Sequence, residues 1–469
     1  MTATPTSVPQ DQRSAAISVN PATGEEIARY PHHDQAQQEA IIEAAWQGFL
    51  RWRAEPVEAR AAVLARMAQV LRDRRDALAR LITTEMGKPV LYAQAEVNKC
   101  AALCDWYAAH AAKLLADEPA DIGGDGKASI AYLPLGPVFA VMPWNFPLWQ
   151  VLRAAVPIIA AGNAFLLKHA DNVQGSALAL ADAFTAAGLP EGTFGVLNVN
   201  RHGLPGIIAD KRVVGVTVTA GVAAGAAVAS EAGRHIKKSL LELGGSDAFI
   251  VLADADLDKA VAAAVEARFQ NNGQVCIAAK RIIVEEPVAA AFTRKFIEAA
   301  AALPQGDPLD ETMRLGPMAR ERLREEVHGL VTDSVAQGAT LALGGHIPEG
   351  PGAYYPATVL TGVTNDMAVA RNETFGPVAP ILVARDAEHA IAIANDSDFG
   401  LSGAIWSNDT SRAEALARKI ETGGVFINGI SASDPRVPIG GIKQSGYGRE
   451  LSHFGIREFC NAQLVWRRG

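Results

Sequence analysis

The chain has 469 residues, 49% of them hydrophobic and 20% charged, enough for two substantial globular cores rather than one. Its 43 basic against 51 acidic residues give a net charge of −8, and the basic residues are scattered, which argues against nucleic acid as a partner. Four cysteines, Cys100, Cys104, Cys276 and Cys460, are too few and too unevenly spaced for a disulfide framework and carry no metal-ligand spacing, so a reducing, cytoplasmic setting without a metal is expected.

Residues 1–19 are polar, rich in Thr, Ser, Pro and Gln, and lack the apolar run of a secretory signal; they read as a flexible extension. From Gln35 to Leu115 apolar residues recur at three- and four-residue spacing, as in "EARAAVLARMAQVLRDRRDALARLITTEMG", which predicts helices, with Gly87-Lys88-Pro89 stopping one of them. No charge occurs between Lys127 and Arg153, a length that could span a bilayer. Pro134, Pro137, Pro143 and Pro147 would break such a helix repeatedly, and "VFAVM" suits a buried strand, so no membrane span is expected. Strands "GPVFAVM", "NAFLLKHA", "FGVLNVN" and "VVGVTVTA" then alternate with helices "QGSALALADAFTAAG" and "AAGAAVASEAG". A second alternation follows Leu243, with strands "DAFIVL", "RIIVEE", "ATLALGG" and "PILVARD". The fold class is α/β, with two doubly wound parallel-sheet domains.

Three stretches could carry chemistry. In "LLELGGSD", Glu242 stands in an apolar run before two glycines. It is either a solvated strand-end carboxylate or a general base whose pKa burial would raise. In "FQNNGQVC", Cys276 follows a polar turn; a lone cysteine is commonly a small buried hydrophobe, and Cys100, Cys104 and Cys460 fit that description. In "PWNFPLWQ", Asn145 either bonds its own turn or donates to an oxyanion.

Together and in this order, "PWNFP" (143–147), "LELGG" (241–245), "NNGQVC" (271–276), "NETFGPV" (372–378) and "GGIKQSGYGRE" (440–450) resemble the aldehyde dehydrogenase superfamily across nearly the whole chain. The resemblance implies that Cys276 is the nucleophile, Glu242 the base, and Asn145 an oxyanion donor beside the Cys276 amide. It divides the chain into a dinucleotide-binding domain (20–240), a catalytic domain (241–435) and a return segment (436–469). It also implies a homodimer or homotetramer, paired through a β oligomerisation extension (118–137) and the C-terminal strand.

For the cofactor, the chain lacks G-x-G-x-x-G. The resemblance implies NAD, with NADP possible, held by Trp144, Lys168, Asp171, Gly221, Gly225, Gly244, Glu373 and Phe375. Where the family carries Gly-Ser, this sequence has Ala220-Gly221. Ala220 lacks glycine's freedom at positive φ and Gly221 offers no hydroxyl, which leaves more of the phosphate binding to the helix N-terminus. Asp171 would repel a 2′-phosphate and favour NAD.

The likeness is greatest to succinate-semialdehyde dehydrogenases of the bacterial branch. It implies a short-chain aldehyde with a distal carboxylate, met by Arg153, Gln270, Ser433 and Arg436, Gln270 standing where some relatives carry arginine. Alternatives are a broad-specificity aldehyde dehydrogenase, a cysteine hydrolase using His110, His202, His235 or His453 as base, or an oligomeric scaffold without turnover.

Overall fold

The computed structural model of the chain describes residues 14–123 and 125–468. Helices Gln35–Trp52, Val57–Asp73, Arg75–Met86 and Val90–Leu114 occupy the stretch of three- and four-residue apolar spacing. The first opens with a capping box: Asp34 accepts from the Gln37 amide while the Gln37 side chain reaches back to the Asp34 amide. The third ends at Gly87 in the left-handed conformation, φ 79°.

Among the described residues the first large sheet has six strands, in the order Gly446–Tyr447, Lys238–Glu242, Gly215–Thr219, Pro137–Met142, Ala164–His169, Phe194–Val196. All neighbours are parallel except Gly446–Tyr447, which arrives from the return segment and runs antiparallel to Lys238–Glu242. The second sheet has seven strands, in the order Thr340–Leu343, Thr358–Thr361, Val378–Ala384, Arg281–Glu285, Ala248–Val251, Gly403–Trp406, Val425–Ile427. Its inner strands are apolar on both faces because both are covered, whereas the edge strand Thr340–Leu343 is largely exposed and runs antiparallel to Thr358–Thr361. Ala248 and Ile250 enter one core, while Phe249 and Val251 enter the other. A third sheet joins Glu118–Ala120, Lys127–Pro134 and the C-terminal strand Cys460–Arg467, all antiparallel.

The expectation of a flexible 1–19 segment needs correction where it meets the described residues. Ala15–Val19 is a strand paired with Glu26–Pro31. Two buried alanines anchor it, and Gly24, at φ 80°, lies in the turn between the strands. Residues 1–13 lie outside the described residues. The uncharged stretch after Lys127 becomes a strand, the "PWNFP" turn and the helix Trp149–Ala160. Among the described residues no helix is long and apolar enough to cross a membrane.

Parallel strands leave their C-terminal ends free for ligands. In the first sheet Thr219 pairs with Glu242 at that edge, and Met142 and His169 pair beside them. The turns that follow these residues carry "PWNFP", Asp171, Ala220-Gly221 and "LELGG". They face the loop preceding Arg281–Glu285 of the second sheet, which carries Cys276.

Candidate active site

The helix Leu257–Phe269 gives way to three consecutive left-handed residues, Asn271 (φ 51°), Asn272 (φ 56°) and Gly273 (φ 71°). Asparagine tolerates this region better than other residues bearing a Cβ. Here the amides also fasten the turn. Asn272 Nδ2 donates to Pro317 O at 2.8 Å while its Oδ1 accepts from Gly316 N at 2.7 Å. Asn271 Nδ2 donates to Asn145 O at 2.8 Å. At Gly273 a Cβ would lie 2.2 Å from Gly376 O, so the backbone of "NETFGP" closes directly over it. The buried Arg268 donates to Thr374 O at 3.0 Å and to Gly376 O.

This turn delivers Cys276 to the wall of a cavity of about 190 Å³. Burial pushes its thiol up to about 11, although Arg153 and Lys280 pull the other way. The Cys276 amide finds no acceptor among the described residues. Asn145 is buried, and its Nδ2 donates to Gln274 O at 3.0 Å, using one of its two N–H groups. The second N–H of Asn145 and the Cys276 amide are thus both left without a protein acceptor among the described residues.

Glu242, buried at the end of its strand, has an Oε1 with no hydrogen-bond partner. Burial holds its carboxyl well above the usual carboxylate range, opposed by Arg153 and reinforced by Glu450. Arg153 reaches it at 3.9 Å and forms a closer ion pair with Glu450 through Nε. One buried cation thus stands between two buried carboxylates.

Both glycines of "LELGG" are closely approached, Gly244 by Glu373 and Gly245 by the Cys276 backbone, whose O would lie 2.9 Å from a Cβ there. A Cβ at Gly244 would sit 2.2 Å from Glu373 Oε2, and Gly245 N donates to Glu373 Oε1 at 3.1 Å. The same carboxylate pairs with the buried Lys280 at 3.1 Å, and Lys280 also donates to Cys276 O. Trp144 and Phe375 meet edge to face at 5.7 Å, both partly exposed.

The residues present fit a nicotinamide dinucleotide. The helix Val222–Arg234 starts without a side-chain cap, and the space over Gly221 is open, so its first amides are free for a phosphate. Asp171, partly exposed at the end of the neighbouring strand, pairs with Lys168 at 2.8 Å.

A sequence profile of the aldehyde dehydrogenase family matches residues 8–465. The chain belongs to that family. A succinate semialdehyde dehydrogenase of Escherichia coli, named for NAD(P)+, is 54% identical over 452 residues, covering 96% of this chain and 98% of its own. A succinate-semialdehyde dehydrogenase of Mycolicibacterium paratuberculosis, named for NADP+, is 49% identical and covers 96% of each chain. The crystal structure of succinic semialdehyde dehydrogenase from Streptococcus pyogenes in complex with NADP+ superposes with a TM-score of 0.94 at 37% identity, covering 96% of this chain and 99% of that one.

Within this aldehyde dehydrogenase, Cys276, Arg153, Gln270 and Ser433 share one cavity. Arg436 does not join them. It is exposed and clamped to Asp434 at 2.7 Å, on the same loop. Gly225 is a packing residue, since a Cβ there would meet Leu243 at 2.3 Å. The strain argument at Ala220 and Gly221 also fails, because Ala220 carries no positive φ and Gly221 has φ −70°. No histidine lines the Cys276 cavity, which removes the base that a cysteine hydrolase would need. The sequence reading missed Lys280, Lys99 and the buried pair Lys88–Glu96. Glu96 accepts from Leu148 N and Trp149 N, both at 2.9 Å, and so fixes the far end of the "PWNFP" turn. Its signal in sequence was the lone acid in an otherwise apolar helix face.

Proposed function

We propose that the protein oxidises succinic semialdehyde, or a close short-chain relative ending in a carboxylate, to the corresponding acid with NAD or NADP. The observation that carries this reading is a small cavity holding the reactive thiol together with Arg153, Gln270 and Ser433. Its volume, about 190 Å³, is below that of a cavity for a drug-sized ligand and suits a few carbon atoms.

The Cys276 thiolate adds to the aldehyde carbon, forming a C–S bond and a tetrahedral thiohemiacetal. The negative oxygen is received by the Cys276 amide and the second N–H of Asn145. When bound, NAD or NADP accepts the hydride that this carbon gives up. The carbon is left as a thioester on Cys276. Glu242, with its open Oε1, takes a proton from water, whose oxygen attacks the thioester and releases the acid and the thiol. Trp144, Phe375 and Glu373 would hold the nicotinamide end, and Lys168 and Asp171 the adenosine ribose. The Asp171 carboxylate favours NAD over a 2′-phosphorylated cofactor.

We read the protein as an enzyme of a reducing cytoplasm, a reading that its free thiols support. We also read it as a homodimer or homotetramer, a reading supported by the exposed apolar side chains of the C-terminal strand. The test is a substrate panel with both cofactors. Wild type is expected to prefer succinic semialdehyde to butanal by at least about tenfold in kcat/KM, to prefer NAD, and to lose all oxidation in Cys276→Ala. Equal use of the two aldehydes would reject the substrate assignment.

A further inference from the structure

Arg153 lines the cavity with its charge already shared. Its Nε is ion-paired with Glu450, its Nη2 donates to Thr219 Oγ1 at 3.4 Å, and the same Nη2 lies 3.9 Å from Glu242. Two carboxylates already surround one guanidinium. Gln270, the other polar group at the expected position, carries no charge.

The same cavity is lined by Lys99, from the helix Val90–Leu114. Its ammonium lies over the Trp149 ring at 4.0 Å and donates to Ser433 Oγ at 2.8 Å. Among the described residues it has no carboxylate within ion-pair distance, unlike Lys88, Arg153 and Lys280 around it. Burial and the nearby Arg153 lower its pKa to about 8, against a weaker opposite pull from Glu96 and Asp434. A desolvated cation with two remaining N–H donors and a hydroxyl beside it is a receptor for an anion. The aromatic ring of Trp149 and the wall residues Phe146 and Ile430 supply the apolar passage between it and Cys276.

We infer that Lys99, with Ser433, is the specificity-determining anchor for the distal carboxylate of the substrate, taking the place of an arginine at Gln270. This assignment rests on the succinic semialdehyde reading above.

The experiment compares kcat/KM for succinic semialdehyde and for butanal, which has the same chain length and no carboxylate, in wild type, Lys99→Met, Lys99→Gln and Lys99→Arg. Lys99→Met removes charge and hydrogen bond; Lys99→Gln keeps a donor to Ser433 and removes only the charge. Both are expected to lower the ratio of the two substrates by about ten- to hundredfold, mainly through KM for succinic semialdehyde, as loss of a charge-assisted hydrogen bond does. Lys99→Arg is expected to retain most of it. A high ratio in wild type that persists within twofold in Lys99→Met or Lys99→Gln overturns the role of Lys99 alone. A wild-type ratio near one overturns the substrate reading and this inference together.

Discussion

Cys276 is held as a thiol at neutral pH, with its proton retained up to about 11 by burial. Glu242, too, is held protonated to higher pH than an ordinary carboxylate. Both groups act in their deprotonated forms, so lowering the pH removes active enzyme and raising it restores it. Activity in kcat/KM is therefore expected to climb from neutral to alkaline pH, which a pH–rate profile with butanal would check. In Glu242→Gln, turnover should fall by about 10²- to 10⁴-fold, the usual worth of a general base, and the part of the rise that follows the carboxylate should vanish. A variant profile parallel to wild type would remove Glu242 from the chemistry. Each local stretch around these two residues and Asn145 left a second reading open, and it was several motifs in a fixed order that pointed to catalytic roles. Lys99 was not legible, since the hydroxyl that gives it meaning belongs to Ser433, 334 residues further on. Lys280 was hidden in the same way, its partner Glu373 being supplied by another strand's loop.

At the scale of elements, the Cys276 turn depends on backbone conformations few residues adopt. Gly273→Ala would combine a φ of 71° with a Cβ 2.2 Å from Gly376 O. It should destabilise the fold by more than about 2 kcal/mol and cut turnover sharply, read by urea unfolding and by kcat. Retained stability together with retained turnover would mean that the turn can relax. Both alternating series were readable as parallel sheets because their strands are apolar at successive positions. The short strands Gly446–Tyr447 and Ile442–Lys443 were not, being two residues long and held by partners from distant chain. Gly225 misled for a related reason: its composition matches a phosphate loop, and only the approach of Leu243 reveals that it serves helix packing.

At the scale of the whole molecule, the three-stranded antiparallel sheet stands apart from the two large ones. Leu464 and Trp466, each 57% exposed, alternate with Val465 at 51% along its C-terminal strand. Exposed apolar residues on both faces of an edge strand call for a covering partner. Leu464→Glu combined with Trp466→Glu should convert the assembly to a smaller species in sedimentation velocity. An unchanged sedimentation coefficient, or a monomeric wild type, would move the interface elsewhere or abolish it.

The ion pair between Arg153 and Glu450 has a further consequence for how the enzyme is made. Arg153 lies on the helix Trp149–Ala160, whereas Glu450 is translated after every other residue of the centre. Domains tend to fold from the N-terminus as synthesis proceeds. A nascent chain can therefore form the five parallel strands of its first sheet while Arg153 still lacks its principal counter-charge, since the edge strand Gly446–Tyr447 and Glu450 arrive together; until then Glu242 faces that cation without the competing carboxylate. The base therefore acquires its working environment only once the return segment that carries Glu450 has been made and has docked.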